Sequence, residues 1–344
     1  MSKTGSAVIV LNAVIAAVTE ETPRLLMVRH TDHALAVDNL NPFAEVDDDI
    51  ALPFGPFNPD QDRTLELALQ QWVAEQTGQS IGYTEQLYTF GDRYRDPREL
   101  AGGPRVVSIG YLALGREEAP SGDGHGDWFD LYNFLPWEDW RYGRPPVIDD
   151  ILMSSLEEWA AAEPYPAIRA ERQRRLTMTF GHDDAAWNFE HVLERYELLY
   201  EAGLVAEAER DRLARAKYIN TPGPNAGAQN AINATGHSAA LDHRRMMATA
   251  LGRIRGKLKY RPVVFELLPP AFTLLRLQRV VESLSGINLH KQNFRRLVTN
   301  NKLVEPTGAL DTEGPGRPAK MFRFRTSVLS ERRAPGVGVP KISP

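Results

Sequence analysis

TLLRLQRVVESLSGINLHKQNFRRLVTNN, residues 273–301, decides the architecture of the C-terminal part of the chain. Thr273 is a hydroxyl residue placed to cap a helix, and Leu274, Leu277, Val280, Val281 and Leu284 follow it at helical spacing. Gly286 makes the turn, and Asn288 caps a second helix predicted to run to about Asn301. Beyond it, Leu303-Val304-Glu305 and Lys320-Met321-Phe322-Arg323-Phe324 read as two strands joined by a hairpin. Helix, glycine turn, helix and two-stranded ribbon is the order of a winged helix-turn-helix. On the second helix Phe294, Leu297 and Val298, with Leu289 a turn earlier, are expected inside. Lys291, Gln292, Arg295 and Thr299 then project outward, with Asn293 and Arg296 on the flanks. Arginine pairs bidentately with guanine, and asparagine or glutamine with adenine, in the major groove. A solvated helix face usually mixes signs, whereas this one has Lys291, Arg295 and Arg296 beside His290 and no acid. The reading is a DNA-recognition helix. The loop Gly314-Pro315-Gly316-Arg317-Pro318 sets Arg317 at a tip suited to the minor groove.

Charge extends the argument outward from this helix. From Leu241 onward there are 20 Lys and Arg against 7 Asp and Glu, while residues 1–240 carry 20 against 38. The overall charge of −5 therefore hides a basic C-terminal part on an acidic body, a split that suggests a polyanionic partner. With 344 residues, two domains are the default and three are possible. Hydrophobic residues at 42% and charged residues at 25% exclude a mostly disordered or collagen-like chain. No apolar run is long enough to cross a bilayer, and the first residues carry no export pattern, so a cytoplasmic protein is expected. The absence of cysteine excludes disulfides, a thiol nucleophile and thiolate-bound metals.

The chain divides by pattern. Residues 1–144 alternate strand signals (Ala7 to Val18, Arg24 to Arg29, Glu85 to Phe90, Arg105 to Leu114, and a weaker Trp128 to Phe134) with one helix, Asp62 to Gln76. That is an α+β domain with one central helix after a Pro/Gly turn. Residues 145–240 turn helical, with helices expected at Ile148 to Ala162, Ile168 to Met178 and Asp184 to Ala202. They end in a small, polar stretch, 219–240, that reads as a flexible loop. Residues 241–330 supply a linker helix, Asp242 to Lys257, and the winged helix, followed by a tail, 331–344. Arg253, Arg255, Lys257 and Lys259 suit the negative end of that linker helix.

Leu52-Pro53-Phe54-Gly55, a polar loop, a helix and Glu75-Gln76-Thr77-Gly78 resemble the Nudix box, a loop–helix–loop whose carboxylates hold Mg²⁺ against a diphosphate. The Arg-Glu pair of the box falls on Gln71 and Trp72, and its Glu-Glu pair on Glu75 and Gln76. Glu75 and the two glycines are what remains, and a single carboxylate makes a poor Mg²⁺ site. The resemblance implies the fold, a mixed-sheet sandwich, and, by its departures, argues against hydrolysis. Downstream, Gln86 to Arg93, Arg95-Asp96-Pro97-Arg98 and Val107 to Leu114 are similar to the strand–loop–strand of the ADP-ribose branch of that superfamily. Arg93, Arg95 and Arg98 could there grip a diphosphate, since guanidinium forks match phosphate oxygens.

The C-terminal segments Leu267-Leu268-Pro269, Phe272-Thr273-Leu274, Leu277-Gln278, Asn293-Phe294-Arg295-Arg296 and Gly316-Arg317-Pro318-Ala319-Lys320 resemble the Nudix-related transcriptional regulators of NAD metabolism. Taken with the box, the resemblance covers about residues 5–135 and 242–326. It implies a homodimeric repressor that binds a double-stranded DNA operator, with ADP-ribose or a related nucleotide as effector. It implies neither a cofactor, nor a metal, nor a catalytic residue. Thr273, Gln278 and Lys320 join Lys291, Gln292, Asn293, Arg295, Arg296 and Arg317 as expected DNA contacts. Phe54, Gly55, Glu75, Arg93, Arg95 and Arg98 are the expected ligand contacts. The rival is an active ADP-ribose or nucleoside-diphosphate hydrolase with displaced metal ligands.

Overall fold

The computed structural model describes residues 7–29, 50–93, 97–100, 102–123, 126–182, 185–218, 228–312 and 318–327. The first strand, β1 (Ala7–Thr19), is buried on both faces, so its apolar residues run on without polar alternation. It turns through Glu20 and Glu21, both at positive φ, into β2 (Thr22–Arg29). Then come β3 (Ile50–Ala51), β4 (Phe54–Pro56), α1 (Leu65–Thr77), β5 (Tyr83–Phe90), α2 (Pro97–Leu100), β6 (Arg105–Leu114) and β7 (Asp127–Asp130). The sheet order is β3-β2-β1-β6-β5, with β4 added to β1 and β7 to β2. β1 and β6 run parallel, from Ala7 beside Arg105 to Ala16 beside Leu114, and the other pairs are antiparallel. The pattern predicts the α+β class, and the mixed sheet is the one that the Nudix resemblance implies.

Leu11, Ala13, Ile15 and Ala17 face one way and pack with Ala68, Leu69 and Val73 of α1. Full burial of Leu69 and Val73 contributes about 1.5–3 kcal/mol for each side chain. Val14 and Ala16 face the other way, into a larger core shared with the helical layer. That layer is α3 (Met153–Ala161), entered through a π-helical turn at Ile148–Leu152, then α4 (Pro166–Phe180), α5 (Val192–Glu201), α6 (Ala206–Ala216) and α7 (Ala228–Ala234). α8 (His243–Tyr260), β8 (Phe272–Thr273), α9 (Leu274–Ser285), α10 (Lys291–Asn300), β9 (Val304–Asp311) and β10 (Ala319–Phe324) complete the chain. The last three strands form a sheet of order β8-β10-β9, and with α9 and α10 they make a winged helix-turn-helix.

Several expectations are corrected. The helix expected from Asp184, which lies outside the described residues, begins only at Val192. Asn188 Oδ1 accepts from Glu190 N, a local turn that competes with helix, and Trp187 packs against Trp140 instead, ring centroids 4.6 Å apart and planes tilted by 44°. The sequence pattern predicts no element at α6, a densely charged helix whose Glu207 is buried against Arg244. Within the stretch expected to be a flexible loop, 228–240 is ordered and packed. Ala228, Ala231, Thr235, Ala239 and Ala240 are buried, and Ala240 N donates to Ile50 O at 2.9 Å. Its residues are small because space is short: a Cβ on Gly236 would lie 2.2 Å from Asn133 O. Asn288 does not cap α10. His290 occupies that position, while the Asn288 amide donates to Arg141 O. Finally, Arg253, Arg255, Lys257 and Lys259 do not serve the end of α8. They pair with Glu85, Glu138, Glu85 and Glu190 respectively.

Candidate nucleic-acid interface and degenerate diphosphate box

α9 starts where the sequence indicates. The Thr273 hydroxyl accepts from Arg276 N at 3.1 Å, and Gly286 ends the helix in the left-handed region, φ +72°. Phe294 and Val298 of α10 are fully buried and fix its roll about its own axis. Lys291, Gln292, Asn293, Arg295, Arg296 and Thr299 are all exposed, so the whole expected reading face is on the surface. Lys320, on β10, is exposed as well, and Arg317 lies outside the described residues. Gln278 departs from expectation. It is buried, and its amide donates to Glu282 Oε1 and Leu289 O, both at 2.9 Å. Its chemistry goes into holding the turn between the two helices, with Glu282 also accepting from Leu289 N at 2.8 Å. Thr273 is likewise occupied as a cap.

The degenerate box keeps its shape and changes its contents. Thr64 caps α1 by accepting from Leu67 N at 3.2 Å, and Gly78 closes it at φ +68°. The Gln76 amide makes both of its hydrogen bonds to the Phe54 backbone, accepting from N at 3.1 Å and donating to O at 2.6 Å. The Trp72 indole donates to Pro56 O at 3.0 Å and lies over Gly55, where an added Cβ would fall 2.1 Å from the ring. Phe54 is buried, with its ring edge-on to His243 at 5.3 Å, and Leu52 N donates to His243 Nδ1 at 3.1 Å. Two expected ligand contacts, Phe54 and Gly55, are thus packed beneath side chains of the protein itself. Glu75 is exposed and accepts from the Gln71 amide at 2.8 Å. These residues do not fit a divalent cation: the positions that would carry oxygen ligands hold an amide and an indole engaged with the backbone. Among the described residues no group of three or more His, Asp or Glu could hold a metal. Arg93 is exposed, Arg95 lies outside the described residues, and so does the side chain of Arg98.

Sequence reasoning missed the residues that join the two regions. Glu138, wholly buried, accepts from Arg195 Nε at 2.6 Å and from Arg255 at 2.5 Å. Burial alone would push its carboxyl up, but the two guanidiniums hold it below the usual carboxylate range. Arg255 sits in a run of basic residues that reads as an exposed helix end, and nothing local distinguishes it from Arg253 or Lys257. Only Trp137, next to Glu138 and itself buried, hinted at an interior location.

The fold and these two regions define a class: a Nudix-like α+β domain joined to a winged-helix domain. Residues 264–324 match the family described as the NrtR DNA-binding winged helix domain. The chain is 38% identical over 85 residues to the ADPR responsive transcriptional repressor NtrR of Acinetobacter baylyi, a stretch that is 25% of this chain and 34% of that protein. The likeness therefore spans about a third of that relative. In fold the chain is similar to the crystal structure of Shewanella oneidensis NrtR complexed with a 27mer DNA. The TM-score is 0.53 at 20% identity, over 95% of this chain and 98% of that one. It is also similar to a MutT/nudix family protein from Enterococcus faecalis, with a TM-score of 0.51 at 17% identity, over 94% and 89% of the two chains.

Proposed function

We propose that this protein is a ligand-responsive repressor of NAD or ADP-ribose metabolism, acting in the cytoplasm as a homodimer on a double-stranded operator. The observation that carries the reading is α10: a surface helix, basic and free of acids, in a winged helix that matches an established DNA-binding domain family. The Nudix-like domain serves as the sensor, binding ADP-ribose or a related nucleotide without hydrolysing it. The Gln76 and Trp72 contacts support a box that has exchanged metal ligands for packing. The name of the Acinetobacter relative supports repression and ADP-ribose response. Arg93, Arg95 and Arg98 remain the proposed diphosphate contacts, and the helix bundle within 145–240 belongs to the body of the sensor.

A gel shift on the DNA upstream of the protein's own gene, with and without ADP-ribose, tests this reading. Retarded DNA whose mobility responds to ADP-ribose is the expected result. Mg²⁺-dependent release of AMP from ADP-ribose, abolished by Glu75→Gln, would instead favour the hydrolase.

A further inference from the structure

The turn that launches α10 is held by the body of the molecule through four hydrogen bonds. Ser283 O accepts from the Tyr132 hydroxyl at 2.6 Å, Leu284 O from Arg255 Nε at 3.2 Å, and Gly286 O from Trp140 N at 2.7 Å. The Asn288 amide returns a bond to Arg141 O. The last carbonyls of a helix have no partner within it and are ordinarily left to water or a cap. Here the carbonyls at the end of α9 are satisfied by residues of 132–140, the segment that continues from β7, and by α8. The fit is close. Gly286 has φ +72°, and a Cβ on it would lie 2.4 Å from Glu138 O and 2.6 Å from Arg255 Nη2.

From this geometry we propose that Tyr132, Glu138 and Arg255 are positioning residues for DNA reading, which seat the turn before α10 on the sensor body and so fix where the recognition helix points. The inference rests on the DNA-binding function proposed above. Glu138 orients Arg255 by accepting from it with a side-chain oxygen and, at 2.8 Å, with its backbone carbonyl. Arg195 of α5 is the second guanidinium on Glu138, so the helical middle region braces the carboxylate that orients Arg255. A buried ion triad is a poor source of stability compared with apolar packing, and its better-attested use is to specify one arrangement among several. Tyr132 is buried, which pushes its hydroxyl up to about 12, so it remains a donor throughout the physiological range.

The test uses the full chain and three variants, Tyr132→Phe, Arg255→Lys and Glu138→Gln, read by hydrogen exchange, thermal unfolding and binding to operator and random-sequence duplexes. Tyr132→Phe removes one hydroxyl and leaves the packing intact, so it decides the matter if Glu138→Gln does not fold. It is expected to speed exchange at the amides of 286–294 while β1 and β6 stay protected. It should weaken operator binding by roughly 2- to 12-fold, the equivalent of one hydrogen bond, with little change on random duplex. Exchange at the turn equal to wild type in folded variants would overturn the proposal, as would faster exchange with operator affinity unchanged. A wild-type protein that binds no duplex would sink the DNA-binding function, and the exchange arm would still judge the seat.

Discussion

Arg295 and Arg296 are exposed on α10, with Arg296 donating to Asn293 Oδ1 at 3.4 Å, while Phe294 beside them is wholly buried and fixes the helix so that neither turns inward. Replacing Arg295 by Ala is expected to weaken operator binding by about 1–3 kcal/mol if the guanidinium reads a base, and to relax the preference at that base. If it contacts phosphate, the loss will be equal on all duplexes and the salt dependence will become shallower. Titration on operator and random DNA at two ionic strengths separates these outcomes, and unchanged binding by an Arg295→Ala/Arg296→Ala double variant removes α10 as the reader. Glu138 gives a second prediction at the same scale. Its carboxyl is held below its ordinary value of about 4.3, so its contribution to stability is complete above that pH and is lost as pH falls through the lower folded value. Urea midpoints of wild type and Glu138→Gln should differ by a constant amount from neutral pH down to about pH 4.3 and converge below it. A gap independent of pH throughout would mean the carboxyl does not titrate with folding.

At the scale of elements, what the sequence made legible is what periodicity encodes. β1, β6, α9 and the inward face of α10 follow from apolar spacing and from Gly and Thr at helix ends, because each is decided by neighbours along the chain. What stayed hidden depends on distant partners. The two-residue β8 exists because Phe272 and Thr273 pair with Phe322 and Met321, 50 and 48 residues further along the chain, and no local signal marks it. Gln278 reads as a surface contact until Leu289 O and Glu282 are brought beside it. Most instructive is α7, whose small residues look like a linker and are in fact the signature of close packing. That difference is testable. Ala231 is fully buried, so Ala231→Leu should destabilise the protein by about 1–3 kcal/mol through overpacking, measured by urea unfolding. A linker would tolerate the change with no shift in the midpoint.

For the whole molecule the proposed function poses a question: how would a nucleotide on the Nudix-like domain alter DNA reading by α10? A ligand shifts an equilibrium only by the difference in its affinity for the two arrangements, so the sensor and the reading helix must share an element that both contact. α8 is such an element. Near its start, His243 meets Leu52 N and the Phe54 ring beside the degenerate box, and twelve residues later Arg255 grips the turn before α10. At 1.5 Å per residue those contacts are about 18 Å apart on one continuous helix. The helix is further tied to β5 through Glu85, which pairs with both Arg253 and Lys257. The body is acidic overall, so an anionic effector must be held by local guanidinium forks and backbone N–H groups and gains nothing from long-range steering. On a two-fold operator the proposed homodimer would set two α10 helices about one helical turn of DNA, or a multiple, apart. A small rotation of each α8 would then spoil that spacing. Coupling of the usual ~1–3 kcal/mol predicts that ADP-ribose changes operator affinity about 5–150-fold. By reciprocity, operator DNA must change ADP-ribose affinity by the same factor. Calorimetry of ADP-ribose binding with and without operator measures that factor directly, and Arg98→Ala should weaken the binding step. Tight binding that ignores Arg98→Ala would move the nucleotide to another site. Binding that is the same with and without operator would mean that α8 carries no signal, and a monomer footprinting a single half-site would remove the two-fold geometry on which the spacing argument depends.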